Sequence, residues 1–181
     1  GFIFSFHEAY TWVIPWEVRS IMNSKQKAIL IGMVLGDAYL QKTGQKNARI
    51  RLEQSEKQRD FLFWKAQQFP EFFQGKPTHL ERFNPVYKKS YSYLRWQSNA
   101  SPEIGKYRQL FYPDGEKKIP DVLPTLLDKQ ISLAVWFMDD GYLYHRDKMA
   151  YIYLPRCSVK EQRLIIETLQ KNFRLYPTMK T

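Results

Sequence analysis

Two stretches of this chain are apolar on almost every side and then end in acid. AILIGMVLGDAYLQ runs from Ala28 to Gln41, and SLAVWFMDDGYLY from Ser132 to Tyr144. A helix that is hydrophobic all round is a buried helix. The first is predicted over 24–36 with Ser24 as its cap, the second from about Asp128 to the adjacent acids Asp139 and Asp140. Between them ARIRLEQ alternates. Ile50 and Leu52 face one way and Arg49, Arg51 and Glu53 the other, which predicts a strand with one core face and one wet face. Ser55 to Phe69 reads as a serine-capped amphipathic helix stopped by Pro70. Residues 78–99 read as a hairpin around Asn84-Pro85, with Tyr91, Tyr93, Arg95 and Gln97 sharing one face of the return strand. A short helix, SPEIGKYRQLFY, and a proline-punctuated linker, DGEKKIPDVLP, follow.

After the second apolar helix the order restarts. GYLYHRDKMAYIYLP predicts two strands around a turn at His145–Lys148, and Ser158 to Phe173 another amphipathic helix. The chain thus carries an internal repeat of apolar helix, two strands and amphipathic helix. The acids Asp37 and Asp140 lie 103 positions apart, and the second copy has no counterpart of residues 77–112 within the 181 residues. The boundaries read as an aromatic extension over 1–23, a first repeat with its linker over 24–127 and an incomplete second repeat over 128–181.

Two buried helices of the same kind have each other as the obvious partner. Gly32 and Gly36, four apart, leave room on one face for a second backbone, with Ala134 as the small residue opposite. Parallel pairing places Asp37 and Asp140 side by side. Two such carboxylates raise each other's pKa unless a cation lies between them. Oxygen ligands with open water positions suit Mg2+, which can serve hydrolysis at phosphorus.

Composition adds a partner class. Net charge is +10 and aromatic content 16%, a preference for polyanions. The single cysteine, Cys157, excludes an internal disulfide framework and fits a reducing, intracellular setting such as a bacterial cytoplasm or an organelle matrix. The longest apolar run is too short to cross a bilayer, so no membrane partner is expected.

LIGMVLGDA (Leu30 to Ala38) and LAVWFMDDG (Leu133 to Gly141) resemble the two motifs of the LAGLIDADG homing endonucleases, in the form with both on one chain. The resemblance implies an α+β fold of two pseudo-symmetric αββαββα repeats forming a DNA-binding saddle, the second repeat incomplete here. It implies a monomer that makes sequence-specific double-strand cuts in a long DNA target and serves intron or intein mobility. Matched residue by residue, it makes Asp37 and Asp140 the ligands of Mg2+ (or Mn2+), with the carbonyls of Gly36 and Asp139 as further ligands. Gln54, Arg156 and Lys118 are the polar and basic candidates around them.

Residues 41–118 hold 16 Lys and Arg against 8 Asp and Glu. On this reading Arg49, Arg51, Arg82, Lys88, Lys89 and Arg95 contact phosphates or guanine edges, and Tyr91, Tyr93 and Gln97 add base or sugar contacts. The alternative is an RNA-binding member of the same family, a maturase or a structural subunit. That role needs the basic face but not the two acids.

Overall fold

The computed structural model describes residues 21–154 and 157–179. The aromatic stretch 1–20 and the candidate Arg156 lie outside the described residues. Helix α1, Ser24–Leu35, is capped by Asn23 rather than by the expected Ser24. The Asn23 side chain accepts from the Gln26 backbone N–H, and the Gln26 side chain accepts from the Asn23 N–H, a reciprocal pair that satisfies two of the free donors at the helix start. Strands β1 (Tyr39–Lys42) and β2 (Ala48–Ser55) follow. The expected serine-capped helix from Ser55 comes in two pieces, a 3-10 turn over Glu56–Gln58 and α2 over Arg59–Gln67, and the Ser55 side chain makes no capping bond.

The hairpin β3 (Thr78–Asn84) and β4 (Lys89–Gln97) turns where the Asn84 side chain accepts from the N–H groups of Val86 and Tyr87. These four strands form one antiparallel sheet in the order β1-β2-β4-β3. Burial along β2 alternates residue by residue, as its sequence predicts. Its inner face, with Leu40 and Leu94 from the neighbouring strands, packs on α1, α2 and α3 (Pro102–Phe111) to form the core. Ser101 caps α3 by accepting from Ile104.

The segment read as a linker is held tightly. Lys118 N–H donates to the Phe111 carbonyl at 2.8 Å and Ile119 N–H to the Glu161 carboxylate at 2.8 Å. It leads through α4 (Leu123–Leu126) into α5 (Gln130–Asp140), then β5 (Gly141–Tyr144), β6 (Met149–Ile152) and α6 (Val159–Phe173). Ser158 caps α6 reciprocally with Glu161, so the two amphipathic helices begin differently despite their matching serines. Strands β5 and β6 form a separate two-stranded sheet. In the first half α3 packs against β1 and β2. Among the described residues no helix takes that place on β5 and β6, and an apolar groove of about 1070 Å³ opens there, lined by Leu133, Phe137, Tyr151, Ile152 and Ile166. No described helix is long and apolar enough to cross a membrane.

Candidate active centre and nucleic-acid face

Helices α1 and α5 pack in parallel, and the glycines of α1 set how closely. A Cβ on Gly32 would lie 2.3 Å from the Ser132 carbonyl oxygen and 2.8 Å from the Val135 Cβ. A Cβ on Gly36 would lie 2.6 Å from the Asp139 Cβ and Oδ2. Val135 and Asp139 stand 103 positions after Gly32 and Gly36. Each glycine therefore faces its own counterpart in the other repeat. Ala134 is not in this interface; it is exposed and lines the groove, because α5 turns Ser132 and Val135 toward α1 instead.

This packing brings the two helix tips together. Burial pushes the Asp140 carboxyl up to about 6, helped by the charges of Asp37 and Asp139 and opposed by Lys117. Burial also raises Asp37, with Asp139 adding to the effect and Lys65 and Lys117 opposing it. Gln54, at the end of β2 on its core face, donates from Nε2 to Asp37 Oδ2 at 3.1 Å and to Asp139 Oδ1 at 3.2 Å.

Of the two adjacent lysines before α4, it is Lys117 and not Lys118 that reaches this centre. Lys117 Nζ donates to the carbonyls of Gly36 at 2.7 Å and Leu35 at 3.1 Å. Burial lowers its pKa against the pull of Asp140, Asp37 and Asp139. Lys118 points outward and pairs with Asp114 at 2.5 Å. The signal lay in the segment itself. In an extended chain Lys117 shares a side with Ile119, which packs on the core.

Asp139 enters by its side chain, which sequence reasoning gave no role. That side chain is wholly buried and forms a short ion pair with Lys65, itself 1% exposed. Its other oxygen lies 3.4 Å from the Asp37 N–H. The Lys65 ammonium also rests 4.2 Å from the centroid of the Phe61 ring. A carboxylate fits there because Gly36 has no side chain. The adjacent acids of α5 thus serve different neighbours: Asp140 is coupled electrostatically to Asp37 and Lys117 and borders the groove, and Asp139 is neutralised from behind by α2.

Among the described residues no group of three or more His, Cys, Asp or Glu side chains is arranged as a metal cage. The donors present are nevertheless of one kind. Two carboxylates with raised pKa values and the Gly36 carbonyl are hard oxygen ligands, and Gln54 Oε1 is buried without a hydrogen-bond partner. Such a set fits a hard divalent cation that keeps several waters.

The outer face of the first sheet carries the charge. Cross-strand pairs Arg51–Gln97, Glu53–Arg95 and Ser55–Tyr93 place the expected residues of β2 and β4 on one surface. Arg49 Nε and Gln97 Nε2 both donate to Gln41 Oε1 at 3.1 Å. The Arg82 guanidinium lies 5.2 Å from the Tyr93 ring centroid. Tyr91 is exposed on the same strand, and Lys88 and Lys89 stand at the hairpin tip, Lys88 with a φ of 48°.

Comparison with known proteins joins these features. The pattern of the LAGLIDADG DNA endonuclease family matches residues 27–181. The chain belongs to that family. It is 27% identical over 168 residues to a probable intron-encoded endonuclease 1 of Wickerhamomyces canadensis, covering 88% of this chain and 70% of that protein. It is 28% identical over 134 residues to the RecA protein of Mycolicibacterium fallax, of which it spans 29%. The solved structure of the homing endonuclease I-WcaI bound to its DNA recognition sequence matches with a TM-score of 0.79 at 25% identity, covering 91% of this chain and 74% of that one. The α+β LAGLIDADG architecture expected from the two motifs is therefore the fold of this chain.

Proposed function

We propose that this LAGLIDADG protein is a homing endonuclease that binds a long double-stranded DNA target as a monomer and hydrolyses both strands with divalent metal. One observation carries the reading: the helix tips of two repeats place Asp37 and Asp140 in one electrostatically coupled centre beside a basic sheet. A pure RNA-binding role leaves that coupling of acids without a use.

Asp37 and Asp140 would hold the ion, with the Gly36 carbonyl beside them. Bound there, Mg2+ or Mn2+ supplies Lewis-acid activation of water and neutralises charge on the scissile phosphate. Gln54 fixes the Asp37 carboxylate and can orient a water through its free Oε1. Lys117 brings a positive charge to the phosphate that is cut. The arginines of the sheet hold the duplex across the centre.

The test is cleavage of a randomised duplex library with Mg2+ and with EDTA, followed by sequencing of the ends. Discrete Mg2+-dependent double-strand cuts are expected from the parent. Asp37→Asn and Asp140→Asn are expected to lower cleavage by about 10³-fold or more while leaving duplex binding within a few-fold. Cutting by either variant at the parental rate overturns the assignment of the centre.

A further inference from the structure

Glu53 is an acid in the middle of the surface that should face DNA. Its carboxylate gathers three arginines from three strands. Arg95 on β4 donates from Nε to Oε2 at 2.9 Å, and its Nη2 lies 2.9 Å from the same oxygen. Arg51 on β2 reaches the same oxygen at 3.3 Å. Arg82 on β3 reaches Oε1 at 2.5 Å. The group is half-open to solvent, with side-chain exposures of 20% for Glu53, 28% for Arg95, 30% for Arg51 and 51% for Arg82.

An acid is costly at such a place. It repels phosphates and cancels one of the positive charges that drive sequence-independent binding. Its return is geometric. Three unpaired guanidinium groups on adjacent strands would repel each other and sample many rotamers. Tied to one carboxylate, they stand in a fixed comb. Arg95 spends its Nε side on Glu53, so Nη1 stays free for a second acceptor. Arg82 is further steadied over the Tyr93 ring. Burial would raise the Glu53 carboxyl, but the hydrogen bonds from Arg95 and Arg51 and the charges of Arg82 and Arg95 outweigh it and hold it below the usual range. The acid therefore stays charged near neutral pH.

We propose that Glu53 is a specificity-determining residue: it presets Arg51, Arg82 and Arg95 as one rigid reader of base edges and weakens binding to duplexes that do not match. This rests on the DNA-endonuclease reading above. Arginines held in this way favour the bidentate pairing with guanine O6 and N7 over loose contacts with phosphate. The carboxylate itself can accept only from a base amino group, which adds to the discrimination.

The test compares the parent with Glu53→Gln and Glu53→Asp. One arm measures affinity for a random-sequence duplex as a function of salt. The other selects preferred sites from a randomised duplex library. Glu53→Gln is expected to bind the random duplex about three- to tenfold tighter, with a steeper salt dependence. It is also expected to lose base preference over one short block of the selected site and keep it elsewhere. Glu53→Asp, which keeps the charge, is expected to restore part of that block. If Glu53→Gln selects the parental site unchanged at every position, or binds random duplex more weakly, the proposal is overturned while the endonuclease reading stands. If the parent selects no duplex at all, both readings fall.

Discussion

In the extended segment Lys117–Ile119, alternate side chains point to opposite sides, and that alternation decides which lysine can act. Ile119 is drawn to the core, so Lys117 goes inward to the carbonyls of Leu35 and Gly36, and Lys118 goes out to Asp114. Lys117→Met is expected to lower cleavage by about 10²- to 10³-fold, since it removes the positive charge that acts most on Asp140. Lys118→Met should change cleavage by no more than a few-fold, its ion pair being fully exposed. Single-turnover rates on a selected duplex decide between them; the reverse order would reassign the lysine. At this scale the sequence was legible where a pattern repeated. Asp37 and Asp140 lie at matching points of the repeat and are coupled electrostatically, and Gln54 donates to Asp37. Which of two adjacent lysines turns inward required weighing one isoleucine, and the role of the Asp139 side chain required seeing that Gly36 leaves its place empty.

Helix α2 reaches the centre through Lys65. Leu62, Lys65, Ala66 and Phe69 lie three to four apart and are all buried, so Lys65 occupies a position in the apolar stripe. A lysine there is a readable anomaly, though only the fold tells that Asp139 answers it. Removing one member strands the other charge in the interior. Lys65→Met is expected to destabilise the protein by about 3–5 kcal/mol, and the double variant Lys65→Met, Asp139→Asn to recover much of that loss. Urea unfolding of the two singles and the double measures the coupling. Additive losses would show that the pair is not a unit. Elements whose cues lie within a few residues were predicted well: β2, the β3–β4 hairpin, α3 and α6 follow their alternation, turn and cap residues closely. The boundary of α1 moved because Asn23, with Gln26, makes a better reciprocal cap than Ser24. The helix from Ser55 split because Ser55 still belongs to β2, paired with Tyr93.

The net charge of +10 is concentrated on one half of the molecule. Arg49 on the sheet and Lys88 and Lys89 at its tip are the basic residues here that Glu53 does not hold. If these neutralise about three phosphates, log affinity should fall with log salt with a slope near −3. Lys89→Ala should reduce that slope by about 1, whereas Arg95→Ala should chiefly relax base preference. Fluorescence anisotropy on a labelled duplex from 50 to about 300 mM salt reads both values, and a flat response would move the binding face elsewhere. The repeat made the overall architecture legible, since two acid-ended apolar helices have few ways to pack. The groove over β5 and β6 lies where the first half has α3 packed on β1 and β2, and residues after α6 line part of it.

The pairing of each glycine with a larger counterpart bears on how the halves recognise each other. Two copies of α1 set face to face would place Gly32 against Gly32 and Gly36 against Gly36, leaving hollows along the seam. Two copies of α5 would drive Val135 into Val135 and bring two Asp139 carboxylates together with nothing between them. Only the mixed pair closes. The twofold relation of the two helices does not extend to their side chains: at the seam they meet as a lock and its key. Neither half can serve as its own mate, and the two have become heterotypic partners joined in a single chain.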